Sequence, residues 1–189
     1  MTNTGMDLVA FLTDLETRVQ AWGKPFDANV ALAEETAHAM ELLEGGGQGV
    51  NVVLWFDGDD ATGPDVPEST LHAGRIYVGV TRHAGLARKH FANLIEGDAR
   101  RPALLGVIQD LRKFLLAQTF ADGLQEGPAG AWLHSDGMTA ISLAPGQFLR
   151  GYALRFKINY TARVAELGPC HDADDDGPPP EFGAVPFNP

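Results

Sequence analysis

Three aspartates stand close together directly after the run "VNVVLWF": Asp57, Asp59 and Asp60, in "DGDD". Carboxylates clustered at the end of a strand can hold magnesium. No Gly-rich phosphate cradle accompanies them, and no G-x-x-x-x-G-K-[ST] occurs in the chain. Asp and Gly are also ordinary turn residues, and that is the simpler reading of this stretch. A second acidic run, "DADDDG" at 172–177, imitates the start of a calcium loop. Its twelfth position is Gly183 where a bidentate Glu belongs, and three prolines follow Gly177. A solvated acidic segment accounts for it.

The remaining reactive side chains are scattered. His83 and His90 sit among Arg82, Arg88 and Lys89, and neighbouring cations oppose both protonation and metal capture. His38, His72, His134 and His171 show no H-E-x-x-H spacing. Ser69, Ser135 and Ser142 lack a G-x-S-x-G setting. Cys170 is the only cysteine, which excludes an intrachain disulfide and a multi-cysteine zinc site. It lies in a proline-rich stretch with nothing to lower its pKa. No catalytic constellation emerges, so neither enzymatic activity nor a cofactor or metal is expected.

The elements that would carry these residues follow from periodicity. Leu8, Phe11, Leu12, Leu15, Val19 and Trp22 fall at helical spacing and predict a helix over 6–22, stopped by "WGKPF". Residues 29–44 are ambiguous: Val30 and Leu32 suit a short strand, whereas 34–44 favours helix. Residues 50–56 are β-branched and aromatic, and predict a buried strand. Residues 57–70 then read as an exposed flexible loop holding Asp57, Asp59 and Asp60. A strand over 74–83 follows, then a long basic connection, then a helix over 102–119 opened by Pro102. "AWLHSDGMTAISL" predicts a hairpin turning at Asp136-Gly137. Helices on one face of a mainly antiparallel sheet make an α+β domain, with two or three helices on that face.

Two further features concern charge. The 189 residues carry a net −11, which argues against nucleic-acid binding by the molecule as a whole. Yet Arg75 to Lys113 holds eight Lys and Arg against three acidic residues, a local +5, so the rest carries −16. Opposite patches of this kind suit head-to-tail contact between copies. A mixed solvated surface is the plain alternative. The second feature is "YALRFKINYTARV" at 152–164. Tyr152, Leu154, Phe156, Ile158 and Tyr160 share one parity; Arg155, Lys157 and Arg163 share the other. At about 3.3 Å per residue the ribbon would span roughly 43 Å, apolar on one side and basic on the other. An edge strand blunted by Lys and Arg would look the same. The start of the chain lacks the basic and apolar regions of a signal peptide, and no apolar run is long enough to span a membrane, so a cytosol-like compartment is expected. Residues 1–165 are read as one domain. Residues 166–189, with six acidic residues, no Lys or Arg and many prolines, are read as an extended tail.

The order of elements resembles the tail terminator (tail completion) proteins of tailed bacteriophages, including the Mu-like type. The residues that carry the resemblance are "MDLVAFLTDLETRVQAW", "VNVVLWFDGDD", "RIYVGVTRHAGLARKH", "PALLGVIQDLRKFL" and the closing "YALRFKINYTARV", covering about 6–165. The resemblance implies a homohexameric ring without an active site, capping the tail tube and joining it to the head. The implied partners are copies of the chain itself, the tail tube protein and head–tail connector proteins, with no membrane and no sequence-specific nucleic acid. The implied place is the virion, at the head–tail interface, after synthesis in the host cytoplasm. On that basis the expected ring or tube contacts are Arg82, Arg88, Lys89, Arg100, Arg101, Arg155, Lys157 and Arg163. The alternatives are a different head–tail connector or neck protein, a bacterial adaptor domain, and a small metal-dependent enzyme using Asp57, Asp59 and Asp60.

Overall fold

A computed structural model describes residues 6–47, 49–61, 71–83, 103–120, 132–141 and 150–161. The fold is α+β, built on a five-stranded, mostly antiparallel sheet. Its elements in chain order are α1 (Leu8–Gly23), β1 (Asn29–Ala33), α2 (Thr36–Gly45), β2 (Gly49–Ala61), β3 (Leu71–His83), α3 (Leu104–Leu116), β4 (His134–Ile141) and β5 (Arg150–Thr161). The strand order is β1-β2-β3-β5-β4. Among the described strands only β1 and β2 run parallel, joined by α2 as a crossover. That resolves the ambiguous stretch 29–44 into a strand followed by a helix.

Helix α1 begins where Asp7 Oδ1 accepts from the Ala10 amide at 3.0 Å. This satisfies one of the amide donors that a helix start leaves open. Phe11, Leu15 and Val19, each one turn apart, form its buried stripe. Leu104, Val107, Ile108, Leu111 and Leu115 do the same for α3. Both helices pack on one face of the sheet, over Val50, Val52 and Leu54 of β2, Ile76, Val78 and Val80 of β3, and Leu154, Phe156 and Ile158 of β5. Phe11 meets Phe120 edge-to-face at 4.9 Å, and Trp22 lies 6.2 Å from Phe114. Arg18 locks the same seam: it donates to Gln118 Oε1 at 3.1 Å and to the Thr119 carbonyl at 3.0 Å, and it covers the Phe120 ring.

Helix α2 lies against the opposite face, in a second, smaller core of Ala39, Leu43, Val53, Trp55 and Ala153. It seats closely because β3 offers Gly79 beneath it. A methyl group there would stand 2.7 Å from Leu43 Cδ1 and 3.1 Å from Trp55 Cζ3. Strand β2 is therefore covered on both sides, which explains its unbroken apolar run.

Several elements depart from the sequence expectation. Residues 57–61 are not loop: β2 continues through them, and β3 begins at Leu71 to pair with them. The strand survives three Asp and a Gly because the register shifts between Phe56 and Asp59, with Gly58 at φ 84°. Asp136-Gly137 is not a hairpin turn either. The two residues bulge out of β4, between Ser135 and Met138, with Gly137 at φ 102°. A Gly at positive φ serves a bulge as well as a turn. Finally, β5 is not an edge strand; it sits between β3 and β4.

Candidate functional site

Among the described residues, polar side chains gather at two places in particular. The first is built by the β2 bulge. Alternation past Gly58 puts Asp59 on the α1/α3 face and Asp60 on the other. Asp59 accepts the hydroxyl proton of Tyr160, and its Oδ2 lies 2.8 Å from His72 Nδ1. The His72 and Tyr160 rings stack at 5.3 Å, 17° from parallel. Tyr160 belongs to β5 and pairs with His72, so its hydroxyl must reach diagonally over Gly74 to find Asp59. Gly74 leaves the room: a Cβ there would sit 3.1 Å from Tyr160 Cε1 and 2.8 Å from Phe56 Cε2. Burial, then the bond to Asp59 and its negative charge, raise the Tyr160 phenol well above its ordinary pKa. The cluster fastens three strands together at one end of the sheet.

Asp60 turns away and pairs with Arg75 Nη2 at 2.6 Å, while Asp57 has Thr36 Oγ1 at 3.5 Å. The three carboxylates expected to share a flexible loop are thus fixed on a strand and point to different neighbours. Among the described residues no group of three His, Cys, Asp or Glu is placed to hold a metal ion. A cavity of about 260 Å³ lies between β1, β2 and the end of α2. Its amides are already engaged: Asn29 Nδ2 donates to Asn51 Oδ1 at 3.0 Å, and Asn51 Nδ2 donates to the Gly47 carbonyl at 3.1 Å.

The second place is the part of the α2-side face that α2 does not cover. Along β5, Leu154, Phe156, Ile158 and Tyr160 are buried, whereas Arg155 and Asn159 are half-exposed and Lys157 is exposed. The expected two-faced ribbon is present. Arg155 pairs across the sheet with Tyr77, and Lys157 pairs with Arg75 on one side and His134 on the other. Arg75 and Lys157 keep side-chain exposures of 45% and 54%, and Lys157 Nζ lies 3.4 Å from Asp136. The result is a band of cations on an open sheet surface, with Trp55 and Tyr77 stacked at 5.2 Å along its border.

Of the other expected contact residues, Arg82 is buried, 7% exposed, on the α1/α3 side of the sheet. Arg88, Lys89, Arg100, Arg101 and Arg163 lie outside the described residues, as do Cys170 and segment 166–189. Sequence reasoning missed the Asp59–His72–Tyr160 cluster. Its one available signal was the polar hydroxyl of Tyr160 at a core-facing parity. The register shift that brings Asp59 opposite Gly74 has no marker except Gly58.

No protein-family model matches this chain, and no characterised protein matches it in sequence. Among the described residues no helix is long and apolar enough to cross a membrane.

Proposed function

We propose that this chain is a structural protein of a tailed-phage virion, forming a homohexameric ring that caps the tail tube at the head–tail junction. The observation that carries the reading is the open cationic band of Arg75, Arg155 and Lys157 on a rigid sheet. A ring subunit needs a stiff platform that presents charge to an acidic neighbour or tube. The element order of the terminator family supports the same reading. Arg88, Lys89, Arg100, Arg101 and Arg163 would extend the contact surface. A metal-dependent hydrolytic role for Asp57, Asp59 and Asp60 finds no support in carboxylates that diverge.

The test is the mass of the purified protein by light scattering, across concentration and salt, alone and with tail-tube fragments. A closed ring, or a monomer that closes on the tube, is the expected result. Replacing Arg155, Lys157 and Arg163 together by Glu should abolish assembly or tube binding while circular dichroism stays unchanged. A wild-type monomer indifferent to tubes refutes the proposal, and binding to head-side proteins alone would make the chain a connector of another kind.

A further inference from the structure

Helix α2 and the cationic band stand side by side on one face of the sheet, and each carries charge that its own subunit leaves poorly answered. Arg75 and Lys157 are directly opposed across β3 and β5, with Arg155 two residues from Lys157. Like charges in that position repel. Their acidic partners, Asp60 and Asp136, are reached only through exposed pairs, which hold weakly. On α2 the charge has the opposite sign. Glu35 caps the start of the helix, and Glu41 and Glu44 lie toward its C-terminal end, where the last turn holds no basic residue. Glu41 and Glu44 are one turn apart and repel each other, and a helix C-terminus disfavours negative charge. Glu35 and Glu41 are exposed and Glu44 is half-exposed. Among the described residues none of the three is paired with a cation.

The dimensions agree with the charges. From β3 through β5 to β4 the sheet is two strand spacings wide, about 10 Å, which is the width of one helix. The ten residues of α2 make a rod of about 15 Å, and the stretch from Arg155 to Asn159 is about 13 Å long. Arg155 and Lys157 are about 7 Å apart along β5, and the Cβ atoms of Glu41 and Glu44 are about 5–6 Å apart along α2.

We propose that the cationic band is the seat for helix α2 of a second copy of this chain, with Glu41 and Glu44 of one subunit set against Arg155 and Lys157 of the next. Each copy carries both surfaces, so contacts of this one kind can close an assembly. The inference rests on the reading of the band as a contact surface, and not on the number of copies or on the tail tube.

The experiment uses the full chain in two charge-reversed forms. The helix variant carries Glu41→Lys and Glu44→Lys; the band variant carries Arg155→Glu and Lys157→Glu. Mass is measured by light scattering at low salt, where exposed charges are least screened. The wild type should self-associate, and each variant alone should do so about a hundredfold more weakly, since like charges then face each other. An equimolar mixture should associate as the wild type does. The acidic helix of the band variant fits the basic band of the helix variant, and the basic helix of the helix variant fits the acidic band of the band variant. Circular dichroism checks that each variant folds, and the single reversals Glu41→Lys and Lys157→Glu, both at exposed positions, repeat the test with a smaller effect. An assembly of six supports both the contact and the ring; a pair of copies supports the contact and refutes the ring. A wild type that stays monomeric, a variant that associates alone as the wild type does, or a mixture of folded variants that stays dissociated overturns the inference.

Discussion

Gly74→Ala separates two opposing effects at the Asp59–His72–Tyr160 cluster. In a strand whose backbone suits any residue, exchanging Gly for Ala stabilises by about 0.4–1 kcal/mol, because the unfolded chain loses freedom. Here the new methyl would meet Phe56 Cε2 at 2.8 Å, Ile158 Cγ1 at 3.1 Å and Tyr160 Cε1 at 3.1 Å. Overpacking of that kind costs about 1–3 kcal/mol. If the Tyr160 ring is displaced, its hydrogen bond to the Asp59 carboxylate is also lost, at about 1.5–3 kcal/mol. The net expectation is destabilisation by about 2–4 kcal/mol. With a urea slope near 2 kcal/mol per molar, the unfolding midpoint falls by about 1–2 M. Urea titrations of Gly74→Ala, Tyr160→Phe and the double variant complete the cycle. The double variant should cost less than the two singles added, by roughly the hydrogen bond they both remove. A Gly74→Ala protein as stable as wild type, or strict additivity in the cycle, would refute the claim that Gly74 exists to let Tyr160 cross to Asp59.

Other expectations follow from the same structure. Below about pH 10 the folded and unfolded chains both keep the Tyr160 proton. Above it the unfolded chain releases the proton and the folded chain does not, so stability falls by up to about 1.4 kcal/mol per pH unit. Tyr160→Phe should therefore flatten the alkaline limb of a stability–pH curve. Gly137→Ala forces a side chain to φ 102° and brings its Cβ to 3.2 Å from Arg155 Nη2; thermal unfolding should show a loss of about 1–3 kcal/mol. Asp7→Ala removes the cap of α1 and should cost about 1 kcal/mol by the same assay.

How much of this was legible beforehand depended on whether the signal was local. The stripes of α1 and α3 and the parity of β5 could be read because each repeats within one element, at a period that burial enforces. Leu154, Phe156 and Ile158 had to share a face whatever covered them. The bulges could not be read in the same way. "DGDD" and "SDG" carry turn residues, and turn residues also make bulges; the difference lies in the partner strand, far away in sequence. The parallel β1–α2–β2 unit was half visible, since 29–44 looked like strand and helix at once and was both. The burial of Arg82 could not be read either, because a charge count has no depth. The Asp59–His72–Tyr160 cluster draws on three strands, so no window of sequence contains it.

The two strands at the sheet borders, β1 and β4, have an effect on colloidal behaviour. Among the described residues these are the only strands with a free side, and each is ill suited to receive another strand. β1 has five residues, too few for a long ladder. β4 has eight and is interrupted at Asp136 and Gly137, where the bulge twists its outer rim and leaves a charge on it. A sheet finished this way discourages strand-by-strand growth into fibrils even at high local concentration.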